Sequence, residues 1–76
     1  MEKEFKTYLL DQNLSKNTIT SYLYALRQFE KKYDKLTKQN LRDYKVYLIE
    51  NYKPQTVNLR IRAINCYLES IRKEQW

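Results

Sequence analysis

Not one of the 76 residues is glycine, and Pro54 is the one proline. Tight hairpin turns need backbone at positive φ, which glycine supplies at least cost. A chain without glycine therefore fits sheets poorly and suits helices joined by short polar turns. The apolar residues agree, recurring at three- and four-residue spacing along most of the chain.

Four helices are predicted. The first runs from about Glu2 to Gln12 with Phe5, Tyr8 and Leu9 on one face, and Asn13 is its C-terminal cap, since Asn tolerates left-handed backbone when no glycine is available. Ser15 is the N-cap of the second helix, Lys16 to about Tyr33, with Leu14 packing on Ile19 as a hydrophobic staple. Its inward face reads Ile19, Tyr22, Leu23, Leu26, Phe29 and Tyr33; Asn17, Ser21, Tyr24, Gln28 and Lys31 lie opposite. The third helix follows Thr37 as N-cap, turns Leu41, Tyr44, Leu48 and Tyr52 inward, and ends near Asn51 or Tyr52. Pro54 suits the first position of the fourth, where its missing N–H is not needed. Val57, Ile61, Ile64, Leu68 and Ile71 make the apolar stripe there, Gln55, Leu59, Arg62, Cys66 and Glu69 the reverse side, and the pattern ends in Arg72, Lys73, Glu74 and Gln75. Short loops make consecutive helices antiparallel or steeply crossed neighbours in one compact bundle. The expected fold is all-α, one small domain with a modest core.

Much chemistry is excluded. There is no histidine, so the commonest general base and transition-metal ligand are missing. A glycine-rich phosphate loop is impossible, and Cys66, the single cysteine, allows neither an internal disulfide nor a cysteine-rich zinc site. The carboxylates are scattered, with no poised pair. No catalytic residue, metal site or cofactor is assigned. No apolar run approaches a membrane span and no signal-peptide pattern opens the chain, so the expected location is cytoplasmic, without a membrane partner.

Charge carries the positive signal. The net value is +6, and residues 15–33 and 53–76 contribute +3 each, against +1 for 34–52 and −1 for 1–14. The two most basic segments are also the two that open a long helix with a small polar cluster. A helix start presents free N–H groups and the positive end of the dipole, a natural seat for phosphate. Two such starts in a small basic domain point to a DNA backbone. The candidate contacts are Lys16, Asn17, Thr18 and Ser21 at the second helix, with Tyr24 and Arg27 further along it, and Lys53, Gln55, Thr56, Arg60 and Arg62 at the fourth. Short polar side chains can bond phosphate oxygens while arginine can clamp phosphate or read guanine. Arg62 points away from the apolar stripe and is better placed for base edges; Arg60, on a flank, can instead lay its stem over Tyr67. Ser15 and Thr18 can be caps alone, and Lys31, Lys32, Lys35 and Lys38 read as a solvated face.

The order of these features resembles the N-terminal core-binding domain of tyrosine recombinases, the SAM-like domain of phage integrases. The resemblance rests on Leu14, Ser15, Thr18, Ile19, Tyr22, Leu26 and Phe29, on the Leu36–Thr37 bridge with Leu41 and Tyr44, and on Thr56, Val57, Asn58, Ile61, Ala63, Ile64, Tyr67 and Leu68. It covers essentially the whole chain. It implies a four-helix SAM-like orthogonal bundle, residues 1–76 being one DNA-binding domain of a longer integrase. In that family the protein forms a C-shaped clamp around duplex DNA. The helices corresponding to the second and fourth lie against the duplex, and a separate C-terminal domain carries the catalysis. Its Arg, Lys, His and nucleophilic Tyr would follow Trp76, so no tyrosine here inherits the role and the chain itself is read as non-catalytic. The implied partners are double-stranded DNA and other recombinase protomers, the latter through the first helix, the isolated domain being monomeric. That helix, with Phe5, Tyr8, Leu9 and Leu10, carries more apolar residues than one inward face needs, which a wide core contact also explains. The alternative from another class is a helical protein-interaction domain with no nucleic-acid role.

Overall fold

A computed structural model describes residues 2–71. Each helix begins and ends for a local reason. The first, α1 (Glu2–Asp11), closes where Asn13 takes φ 60°, the left-handed conformation expected of it. The Asn13 N–H donates to Leu10 O at 3.1 Å, tying off the last turn. The second, α2 (Lys16–Lys32), starts at Ser15, whose Oγ accepts from the Thr18 N–H at 3.2 Å. It stops at Tyr33, which turns extended while its N–H still reaches Phe29 O. The third, α3 (Lys38–Asn51), is capped by Thr37, whose Oγ1 accepts from the Asn40 N–H at 3.0 Å. The Asn40 amide reaches back to Lys35 O at 2.8 Å and pins the approach to the helix. The fourth, α4 (Pro54–Ser70), has no side-chain cap at Lys53; proline at the first position sets the entry. The expected basic end at Arg72, Lys73, Glu74 and Gln75 lies outside the described residues.

The fold is the expected all-α four-helix bundle, but its organisation differs from simple chain order. The most extensive packing joins α2 to α4, which are not consecutive; α1 lies on both, and α3 packs on α4. The core accordingly has two parts. Phe5, Leu9, Ile19, Leu23, Leu26 and Tyr67 form one, where α1 meets α2 and α4. Phe29, Leu41, Tyr44, Leu48, Val57, Ile64 and Leu68 form the other, around α3. Leu36, in the turn between α2 and α3, packs against both.

Two helices with neighbours on two sides cannot be buried along a single stripe. Ala25 and Ala63 are fully enclosed on α2 and α4, where short side chains let the helices approach closely. Tyr67, outside the expected apolar stripe of α4, is buried and meets the Phe5 ring edge to face at 5.3 Å. Cys66, expected on the reverse side, is half-buried against the α1–α2 cluster, and burial raises its thiol pKa. Conversely, Ile71 is exposed and Ile61 only half-buried. On α1, Phe5 and Leu9 fill the core and Tyr8 packs beside it, while Leu10 is 58% exposed. Among the described residues no helix is long and apolar enough to cross a membrane.

Candidate nucleic-acid interface

The polar faces of α2 and α4 meet at Arg60. Its guanidinium lies between two rings, 4.9 Å from the Tyr24 centroid and 4.5 Å from that of Tyr52. Its Nη1 donates to Gln28 Oε1 at 2.5 Å. The same oxygen accepts from the Tyr44 hydroxyl at 2.7 Å, and Gln28 Nε2 donates to the Tyr52 hydroxyl at 3.0 Å. One glutamine of α2 thereby holds α3, its C-cap and α4 in register. The expected packing of Arg60 over Tyr67 is replaced by this arrangement: Tyr67 is turned into the core.

The surroundings tune the hydroxyls in opposite directions. Burial pushes the Tyr44 phenol up to about 12. Tyr52 is moved down, first by the hydrogen bond from Tyr47 and then by those from Gln28 and Arg60; Tyr47, as the donor to Tyr52, is moved up. Lys32 completes the edge of the cluster, its Nζ 3.9 Å from the Tyr47 ring centroid.

The Tyr24–Arg60 contact fixes which faces adjoin. At about 100° per residue, Asn17, Ser21, Tyr24 and Gln28 fall in one row along α2. By the same arithmetic Lys53, Thr56 and Arg60 fall in a row on α4. Six of the eleven candidates, Asn17, Ser21, Tyr24, Lys53, Thr56 and Arg60, thus belong to two rows that meet at this joint. Tyr24 is 54% exposed, and Asn17 and Lys53 are exposed, so the strip is open to solvent beside the half-buried Arg60.

The other five sit differently. Thr18 is half-buried within the cap, its Oγ1 accepting from Ser15 Oγ at 2.9 Å. Lys16 is exposed at the start of α2, and its carbonyl accepts from Thr20 Oγ1 at 3.0 Å. Arg27 is directed to α1: its Nε donates to Glu2 Oε1 at 3.0 Å and its Nη2 bonds the same oxygen, which lowers the Glu2 pKa and raises that of Arg27. Gln55 and Arg62 are exposed on α4, and Arg62, two residues from Arg60, points about 160° away from it around the axis. Gln28, Tyr52 and Lys32 are the residues that reading the sequence for DNA contacts passes over. Gln28 reads as an ordinary member of a polar face, and the one available signal is that the hydroxyls of tyrosines turned inward need partners. Among the described residues no group of three His, Cys, Asp or Glu side chains could hold a metal ion.

Four short-looped helices with a basic, aromatic-lined polar joint define a small all-α module. Residues 2–76 match the phage integrase N-terminal SAM-like domain, and the chain belongs to that family. It is also similar to the tyrosine recombinase XerD-like protein of Streptococcus sanguinis, with 30% identity over 76 residues, covering 99% of this chain. The chain spans 31% of that relative's length. No solved structure matches.

Proposed function

We propose that residues 1–76 are a single DNA-binding domain of a longer tyrosine recombinase, and that it holds duplex DNA along the joint between α2 and α4 during integration or recombination. The observation that carries this reading is Arg60, held by Gln28 and flanked by Tyr24 where the two polar rows meet. A guanidinium already fixed by its internal hydrogen bonds to Gln28 and Tyr52 keeps donors for a phosphate, five N–H groups being more than these use, and loses little side-chain freedom on binding. The N–H groups at the starts of α2 and α4 add backbone donors, with Lys16, Asn17, Thr18, Ser21, Lys53, Gln55 and Thr56 beside them. Arg62, on the opposite flank of α4, and Arg27 reach the same duplex only if it wraps past the joint. The catalytic step belongs to another part of the parent protein, which works in the cytoplasm. Exposed Leu10 on α1 is the natural point for a neighbouring protomer.

An amide NMR titration of the ¹⁵N-labelled chain with a generic duplex tests the reading. Shifts should gather at residues 16–24 and 53–60 and fade as salt is raised. Arg60→Ala should weaken every duplex, while Arg62→Ala should weaken binding or relax sequence preference only if the duplex wraps past the joint to reach it. Peaks that stay fixed at low salt would leave the helix starts as caps and favour a protein-interaction domain.

A further inference from the structure

A second concave surface, independent of the DNA reading, opens between α3 and α4. It is a cavity of about 310 Å³, near the lower limit of sites that hold a ligand group. None of the eleven candidate DNA contacts lines it. Its floor is apolar, built by Leu41 of α3 and by Ile61, Ile64 and Leu68 of α4. Its α3 wall carries Lys38, Arg42 and Lys45, all exposed. These three stand at i, i+4 and i+7, one face of the helix, and span about 10 Å along it. Asp43 is turned about 100° from Arg42 and takes the Gln39 amide at 2.8 Å. Among the described residues none of the three cations has an ion-pair partner.

We propose that this groove docks an acidic amphipathic segment of a partner protein. Its apolar side chains seat on Leu41, Ile61, Ile64 and Leu68, and its carboxylates, spaced along the segment, meet Lys38, Arg42 and Lys45. The two halves of the site select this chemistry together. A nucleic-acid backbone satisfies the cations but has no apolar group for the floor. A single-headed amphiphile fills the floor but answers only one of three cations spread over two turns. A second copy of this chain, itself carrying +6, is repelled. An amphipathic helix with acids on its flanks satisfies both, in the helix-in-groove manner.

The test is an NMR titration of the ¹⁵N-labelled 76-residue chain with a synthetic peptide of about four helical turns, built of leucine on one face and glutamate on the flanks. Amide shifts should gather at residues 38–45 and 61–68. Arg42→Glu, an exposed change, should weaken binding by about tenfold or more. Asn65→Trp, at an exposed position lining the cavity, should block it sterically while the amide spectrum stays that of the folded chain. The same peptide with lysine for glutamate should not bind. The proposal is overturned if the acidic peptide produces no shifts, if the lysine peptide binds equally, or if duplex DNA moves the same residues and competes with the peptide.

Discussion

At the scale of residues, the side chain with the widest reach is Gln28, which bonds Arg60, Tyr44 and Tyr52 at once. Arginine can only donate, so the amide oxygen must face Arg60 and Tyr44, and the amide nitrogen must face Tyr52. Gln28→Leu keeps the volume but strips the Tyr44 hydroxyl of its 2.7 Å acceptor, leaving it the longer bond to Ala25 O at 3.5 Å, and should cost about 1–3 kcal/mol in urea unfolding. Tyr44→Phe removes the buried hydroxyl itself and should cost about 1 kcal/mol or less. If the two variants are equally mild, water replaces the glutamine and the network does not hold the helices. The Tyr44 phenol also sets a pH dependence. Its folded pKa, about 12, lies above the ordinary 10.0. The unfolded chain therefore loses this proton first, and the stability is whole below pH 10.0 and falls as the pH rises toward about 12. Tyr33 and Tyr67, also raised by burial, push in the same direction, and the lowered Tyr52 opposes them. Chemical denaturation between pH 9 and 11 should show the decline, and Tyr44→Phe should flatten it. None of this was legible from Gln28 in the sequence, because its importance comes from hydroxyls that are 16 and 24 residues away.

At the scale of elements, the turn between α1 and α2 joins two caps in three residues. Asn13 sits at φ 60° and Ser15 bonds the first turn of α2, with Leu14 packed against the core between them. Asn13→Val places a β-branched residue in left-handed backbone and should cost about 1–2 kcal/mol. Ser15→Ala leaves the Thr18 N–H without its acceptor and should cost about 1 kcal/mol. Thermal melts followed by circular dichroism would check both, and an Asn13→Val chain as stable as the parent would mean that the turn rearranges freely. These caps were readable because they are local: the residue that adopts the geometry also states the reason for it. The helix faces were readable only in part. Spacing located Val57, Ile64 and Leu68, yet it missed Ala63 and Tyr67, since α4 is covered by α3 on one side and by α1 and α2 on the other. A periodic pattern reports that a face is buried; it does not report how many neighbours share the burial.

At the scale of the molecule, α2 ties the two core clusters together: Leu26 belongs to one and Phe29, one turn later, to the other. Cooperative unfolding in one step follows from that continuity. The charge follows a different division. The basic excess of residues 15–33 and 53–76 was visible in the sequence, but not where packing sends it, Arg60 to the α2–α4 joint and Arg27 to α1; nor was the α3 groove, whose Lys38, Arg42 and Lys45 come from residues 34–52, a segment of net charge only +1. The total of +6 therefore overstates what any one ligand meets. On the proposed reading, a duplex held along the joint and the adjoining start of α2 would meet three cations, Lys16, Lys53 and Arg60. Neutralising that many phosphates gives a slope of about −3 when log affinity is plotted against log salt, since each contact contributes about −0.9. Fluorescence anisotropy of a labelled duplex over a range of salt measures the slope directly. Arg60→Ala should reduce its magnitude by about one, and Arg42→Glu should leave it unchanged. A slope near −6 that drops with Arg42→Glu would mean that the duplex also covers the groove, and that the two basic surfaces are one. A slope near zero would remove DNA as the partner of the joint and leave Arg60 as a strut between helices.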